Sequence, residues 1–331
     1  MAESGWLLVA DIGGTNARFA AFELGGAEGG GRLGEPVLLA VRDHPTLEAA
    51  LAAFLARAAR PQPLLGACLA VAAPVEGPVV RLVNGPWVVD RAAVSRALGG
   101  VPVHLVNDFE AVAAAIPALE AGDWRDLRPG RPDPERPSVV LGPGTGLGVA
   151  SLVPTPVGPR VVAGEGGHVD YAPVDETEMA LLGRLTARFG RVSAERVLSG
   201  PGLVHLAQAL AELRGLPPPP VETAALVAAS RAGDPLAVEA LAVFFRSLGS
   251  FAGNLALILG AKGGVWLAGG ILPRLVEELT ASDFAARFLA KGRYAAYLEP
   301  IPVRLITRPH PGLLGAARLY LEKGANGRGS L

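Results

Sequence analysis

Cysteine is nearly absent from this chain. Cys68 is the only one in 331 residues, so no disulfide closes within the chain and no thiolate zinc site forms. Histidine is scarce as well. His44, His104, His168, His205 and His310 are scattered, which leaves no imidazole cluster for a transition metal. Neither sign of charge prevails: the formal net charge is −1 and no basic block occurs. That excludes the electrostatic footprint of a general nucleic-acid binder, and a phosphorylated ligand would have to be held by local backbone dipoles. Long hydrophobic runs are missing too. The stretch LALILG after Asn254 is far short of the roughly 20 residues of a membrane span. The start, MAESGWLLVAD, lacks the basic and apolar regions of a signal peptide. The expectation is a cytoplasmic protein with no membrane and no nucleic-acid partner. Lysine is rare, three against 27 arginines, and Asn, Gln, Met and Cys total ten. That composition suits a thermophile and suits biased codon usage equally well.

What is present is a large apolar fraction, 50%, carried by Ala, Leu and Val rather than aromatics. The 43 glycines and 29 prolines punctuate apolar runs instead of forming low-complexity tracts. The pattern predicts strands at 6–11, 17–24, 36–41, 66–75, 79–84 and 101–106, with helices at 46–60, 90–99 and from Phe109. Leu47, Leu51, Phe54, Leu55 and Ala58 recur at helical spacing, and Asp90 is a candidate N-cap. This order is α/β with a mixed sheet. The segment RDLRPGRPDPERP (125–137) reads as a polar, Pro-rich loop. Then SVVLGPGTGLGVASLV (138–153) repeats the strand, Gly-rich turn, strand of VADIGGTNARFAAF, which suggests two related halves facing a cleft. Residues 175–258 read as mostly helical, with SAERV opening one of the helices. A strand at 263–269 leads through Gly269-Gly270 into a helix ILPRLVEEL, followed by a last strand at 302–307 and a closing helix. The expected domains are 1–118 plus 308–331, and 119–307.

Several motifs carry chemistry. In Asp11-Ile12-Gly13-Gly14-Thr15-Asn16, glycines after a buried strand let backbone N–H groups approach a phosphate. Thr15 adds a hydroxyl, and Asp11 suits a magnesium ion or its waters. An ordinary hairpin turn explains this motif alone equally well. The second loop, Gly142 to Gly148 with Gly144, Thr145 and Gly146 at its centre, shifts the balance to phosphate binding. Neither loop has the Lys of a Walker A motif. Asn107-Asp108 follows a strand and opens a helix, where ligands of α/β sheets gather. Asp108 there suits a general base, and a helix cap is the alternative. Glu165 and His168, in GEGGH, suit sugar hydroxyls or an exposed turn. Glu195 suits either hydroxyl binding or the third position of a capped helix. Asn84 and Trp87 suit a sugar pocket or a packed loop. Gly269 and Gly270 place bare backbone at a strand end, where an adenosine or only a tight turn fits.

Seven ordered motifs, LVADIGGTNARFA, LVNDFEAVA, LGPGTGLGVA, GEGGHVDYAP, ERVLSGPGLVHL, GGVWLAGGILPR and HPGLLGAA, closely resemble the bacterial ATP-dependent glucokinases over roughly residues 6–322. The resemblance implies a two-domain actin-like (ribonuclease H-like) ATPase fold with mixed sheets and a cleft, a homodimer, and a requirement for ATP and Mg²⁺. It implies that DIGGTN and GPGTGLG bind the ATP phosphates and that Asp108 is the catalytic base with Asn107 beside it. Glu165, His168 and Glu195 would bind glucose, and GGVWLAGGI would form part of the adenosine site. The Cys-rich zinc motif of a related family of sugar kinases and repressors is absent here, and with the first loop at Asp11 the repressors' helix-turn-helix is not expected.

Overall fold

The computed structural model describes residues 5–25, 31–58, 62–82 and 85–327. The chain divides into two compact units, Met1–Glu120 with Arg308–Leu331, and Ala121–Thr307. The expected boundaries, after 118 and after 307, compare with divisions after Glu120 and after Thr307.

The first unit begins with β1 (Trp6–Ile12), β2 (Asn16–Leu24), β3 (Gly31–Leu33), β4 (Val37–Ala40) and α1 (Leu47–Arg57). Next come β5 (Leu64–Val71), β6 (Val79–Arg81), β7 (Val88–Asp90), α2 (Arg91–Ala97), β8 (Val103–Asn107) and α3 (Asp108–Ala115). Its sheet runs β3-β2-β1-β5-β8, with β4 also on β2 and a separate β6-β7 hairpin. β1 and β2 are antiparallel, while β1, β5 and β8 run parallel. In β1 only Asp11 is not fully buried. A strand covered on both faces needs such a continuous apolar run rather than alternation. Thr46 caps α1 through its side chain, and Asp90 caps α2 by accepting from Ala92 and Ala93, as its residue type predicts.

The second unit holds β9 (Trp124–Arg128), β10 (Ser138–Pro143), β11 (Leu147–Val153), β12 (Arg160–Gly164) and the helices α4 (Glu176–Phe189), α5 (Gly200–Arg214), α6 (Thr223–Arg231) and α7 (Pro235–Leu259). It closes with β13 (Gly264–Leu267), α8 (Val276–Ala281), α9 (Phe284–Leu289), α10 (Ala295–Leu298) and β14 (Val303–Ile306). The strands run β12-β11-β10-β13-β14-β9. The chain then returns to the first unit as α11 (Pro311–Gly327). That helix crosses α3 so closely that a Cβ at Gly315 would stand 1.7 Å from the carbonyl oxygen of Ala111.

Four expectations are corrected. Residues 124–128 are an edge strand rather than loop, because β9 pairs with β14 and the Arg304 guanidinium lies against both the Trp124 and Trp266 rings, 5.1 Å from each. SAERV is not helical: Ala194 and Glu195 donate their N–H groups to Val169 and Gly167, and α5 starts only at Gly200, capped by the Ser199 hydroxyl. The helix expected after Gly269-Gly270 is divided into a 3₁₀ turn at Leu272–Arg274, which contains Pro273, and the separate α8. LALILG belongs to α7, whose 25 residues are long and apolar enough to cross a membrane. Its apolar face is instead buried in the second unit's core, through Leu241, Phe244, Phe245, Leu248 and Leu255 among others.

Cys68 lies buried in β5, and burial pushes its thiol pKa up to about 12. The thiolate is the reactive form. Iodoacetamide at pH 8 is therefore expected to leave the folded chain unmodified and to label one site after denaturation, as intact mass would record.

Candidate active site

In the first unit, three adjacent parallel strands end level with one another: Ile12 pairs with Val71, and Val71 with Asn107. Their carboxyl ends carry the Gly-rich turn, the 72–73 segment and the Asn107-Asp108 pair. Two strand spacings of roughly 4.8 Å put Asn107 about 10 Å along the sheet from Ile12.

The turn Gly13-Gly14-Thr15 is tight: the Gly13 N–H donates to the Asn16 carbonyl at 3.0 Å, and the Val41 N–H donates to the Thr15 carbonyl at 2.9 Å. Gly14 also meets the 85–86 turn, where a Cβ on Gly85 would come within 2.9 Å of the Gly14 Cα. That approach requires bare backbone at Gly85. Asp11 is cross-strand partner to Arg18, whose Nη1 lies 3.5 Å from Oδ2. Burial holds the Asp11 carboxyl above the usual carboxylate range, against the pull of Arg18 and then of His310, although its side chain keeps 32% of its surface.

Asn107 is the N-cap of α3. Its Oδ1 accepts from the N–H groups of Phe109 and Glu110 at 2.9 and 3.2 Å, its Nδ2 donates to the Ala73 carbonyl at 3.3 Å, and Glu110 closes a capping box. The cap role therefore falls to Asn107. Asp108 occupies the first helical position, half-buried, with Oδ1 accepting from the Phe109 N–H at 2.9 Å. Trp87 is a packed loop residue, 2% exposed, with its indole N–H donating to the His44 carbonyl at 3.0 Å. Asn84 lies outside the described residues.

The second unit brings four sequence-predicted segments together. Leu141 and Leu267 pair across β10 and β13, so the loop after each strand lies beside the other. A Cβ at Gly269, whose φ is 91°, would stand 2.4 Å from the Pro143 carbonyl oxygen, which makes glycine obligatory. Within the loop, the Gly144 N–H donates to the Gly146 carbonyl at 2.8 Å, and Thr145 is exposed. The Gly200 N–H reaches the Gly144 carbonyl at 2.8 Å. On the other flank, Glu165 precedes a 3₁₀ turn and His168 ends it, with Nε2 and Oε2 3.8 Å apart and both side chains more than half exposed. Gly167 lies against Leu147 so closely that a Cβ would be 2.1 Å from its carbonyl oxygen. Glu195, half-buried, joins this turn by donating its N–H to the Gly167 carbonyl at 2.9 Å.

Sequence reasoning missed a cavity of about 450 Å³ lined by Phe189, Pro201, His205, Gln208, Glu222 and Thr223 among others. The Thr223 hydroxyl donates to the Gly200 carbonyl at 2.8 Å, so the cavity adjoins the residue that touches Gly144. It also missed His310. At φ 51° it is the one non-glycine in the left-handed region among the described residues, and such strain gathers at functional sites. No group of three or more acidic, His or Cys side chains that could hold a metal exists among the described residues.

A glucokinase family model matches residues 8–323. The chain is 46% identical over 315 residues to a glucokinase of Marinobacter nauticus, covering 94% of this chain and 95% of that one. It is similar to the crystal structure of a glucokinase from an Antarctic psychrotroph, with a TM-score of 0.85, 35% identity, and 96% and 99% of the two chains covered. The fold also matches a glucokinase of Balamuthia mandrillaris solved in complex with glucose, at TM-score 0.77 and 23% identity over 96% and 93% of the chains.

Proposed function

The chain belongs to the glucokinase family and phosphorylates glucose at the expense of ATP, and we propose that Asp108 is the base that takes the proton of the attacking sugar hydroxyl. The observation that carries this is the placement of a half-buried carboxylate one residue past a parallel strand, at the edge where the Gly-rich turn also lies. Asn107 is locked by its capping bonds and fixes the first turn of α3, so the Asp108 carboxylate is held on a rigid element rather than on a loop.

Phosphoryl transfer is mainly positioning and charge stabilisation. In the first unit, the Gly14 backbone and the exposed Thr15 would take phosphate oxygens, with Ile12 anchoring the turn in the sheet and the Gly13 N–H held by the Asn16 carbonyl. In the second, Thr145 and Gly146 would do the same, on a turn that Gly144 closes through its bonds to Gly146 and Gly200. The nucleoside would extend past Gly269 and Gly270 into the cavity that Thr223 lines, since Ile271 and Thr223 both border Gly200. Glu165, His168 and Glu195 would accept or donate hydrogen bonds to the sugar hydroxyls, with Asn84 a further candidate.

Mg²⁺ suits this donor set. It is usually bound by one or two carboxylates together with waters and phosphates, and Asp11 is a partly exposed carboxylate whose Oδ2 lies 3.5 Å from Arg18 Nη1. Bound there, the ion would offset phosphate charge. A homodimer and a cytoplasmic location complete the proposal, on the strength of the family resemblance.

The test is spectrophotometric: sugar 6-phosphate formation with ATP–Mg²⁺ and glucose, mannose, fructose or N-acetylglucosamine. Turnover on glucose is expected to exceed the others. Faster turnover on another sugar would reassign the hydroxyl-binding residues to that sugar.

A further inference from the structure

One residue in the second unit, Glu195, bonds two segments to which different substrates are assigned, one through its carboxylate and one through its main chain. The Leu147 N–H, at the end of the 142–148 loop, donates to Glu195 Oε2 at 2.9 Å. Glu195 in turn donates its own N–H to Gly167, inside the turn that carries Glu165 and His168. Five residues on, the Gly200 N–H bonds the Gly144 carbonyl at 2.8 Å. The 195–200 segment is thus pinned to the sugar turn at one end and to the phosphate loop at both.

We propose that Glu195 is a positioning residue that couples the two substrate sites of this unit, holding the 142–148 loop through Leu147 while its remaining acceptor capacity engages the sugar. This rests on the reading of Glu195 as a sugar ligand. An ionised carboxylate has about four lone-pair sites, so the bond to Leu147 leaves acceptor capacity for hydroxyls. Sugar bonds fix the carboxylate, and the loop is then ordered for phosphate at no second entropic cost. Such linkage is reciprocal: nucleotide on the loop tightens sugar by the same factor.

Gly146 gives direct access to this bond. The three nearest atoms to a Cβ placed there all belong to the Glu195 carboxyl group, with Oε2 at 2.5 Å. Gly146→Ala should therefore displace the end of a flexible side chain and spare the backbone. By calorimetry without nucleotide, Gly146→Ala is expected to weaken glucose binding about tenfold, the loss typical of a hydrogen bond to a charged group, although the residue lies in a phosphate loop. Glu195→Ala is expected to weaken binding of a non-hydrolysable imido analogue of ATP, without sugar, by about fivefold or more. Glu195→Gln keeps an oxygen for Leu147 and should restore most of that nucleotide affinity. Thermal unfolding confirms that each variant is folded. If Glu195→Ala weakens glucose while Gly146→Ala leaves glucose affinity unchanged, the sugar-ligand reading stands and the coupling is overturned. If Glu195→Ala leaves glucose affinity unchanged, both are overturned. Unchanged analogue affinity in Glu195→Ala also overturns the coupling, whether or not Gly146→Ala folds.

Discussion

Asp108→Asn lowers kcat for glucose by about 10²- to 10⁴-fold, the usual contribution of a positioned general base, and leaves the glucose dissociation constant near that of the parent chain. An asparagine keeps an oxygen at the Oδ1 position that accepts from the Phe109 N–H but cannot take a proton. The helix should be undisturbed, because its cap is Asn107 with Glu110, not Asp108. Loss confined to the chemical step appears as equal falls in kcat and kcat/KM. A coupled assay gives the first quantity, and calorimetry gives binding. A kcat reduced by less than about tenfold would remove Asp108 from the base role.

The second large effect is on stability. Arg287→Met should destabilise the chain by about 3–5 kcal/mol, the cost of stranding a buried charge. Glu178 has no exposed surface, and the Arg287 side chain keeps only 12%. The guanidinium meets both Glu178 oxygens, at 2.8 and 2.9 Å, though Oε1 lacks hydrogen-bond geometry. It also reaches Asp175 Oδ2 and the Ser250 hydroxyl, each at 3.1 Å. The two acids are structural. Asp175 caps α4 through the Glu178 N–H, and Glu178 accepts the Val174 N–H at 2.8 Å. The cluster therefore ties α9 to the segment that leads on from His168. Replacing both partners by Met should recover most of the loss, since a well-packed apolar pair often matches a buried ion pair. Urea unfolding measures both variants. A loss below about 1 kcal/mol for Arg287→Met, as at an exposed pair, would show that Glu178 is not stranded.

Much of the candidate site is legible in the sequence because its residues sit where strands end. A buried strand followed by glycines and Thr appears twice, at Asp11–Asn16 and at Gly142–Gly148, and each proved to be a tight turn between paired strands. Asn107-Asp108 stood out for the same reason, although residue types alone left the cap undecided until hydrogen bonds gave it to Asn107. What escaped the sequence depends on distant approaches. The bond from Leu147 to Glu195 spans 48 positions, and nothing local distinguishes it from a helical Glu after Ser193. The same approach explains why SAERV, with adequate helix formers, is diverted into bonds to the GEGGH turn. β9 forms because β14 offers it a partner, against the local polar and Pro-rich signal. Trp87 illustrates the converse: a Trp beside an Asn-Gly-Pro turn fits a sugar pocket on paper, yet its ring is core.

The most direct test of the account is the stoichiometry of ATP use. ADP and glucose 6-phosphate are to be quantified together, with and without glucose, in the parent chain and in Asp108→Asn. One glucose 6-phosphate per ADP is expected from the parent chain, with little ADP without sugar and almost none of either product from the variant. ADP released at the same rate with and without glucose, or glucose 6-phosphate formed at the parent rate by Asp108→Asn, would contradict it.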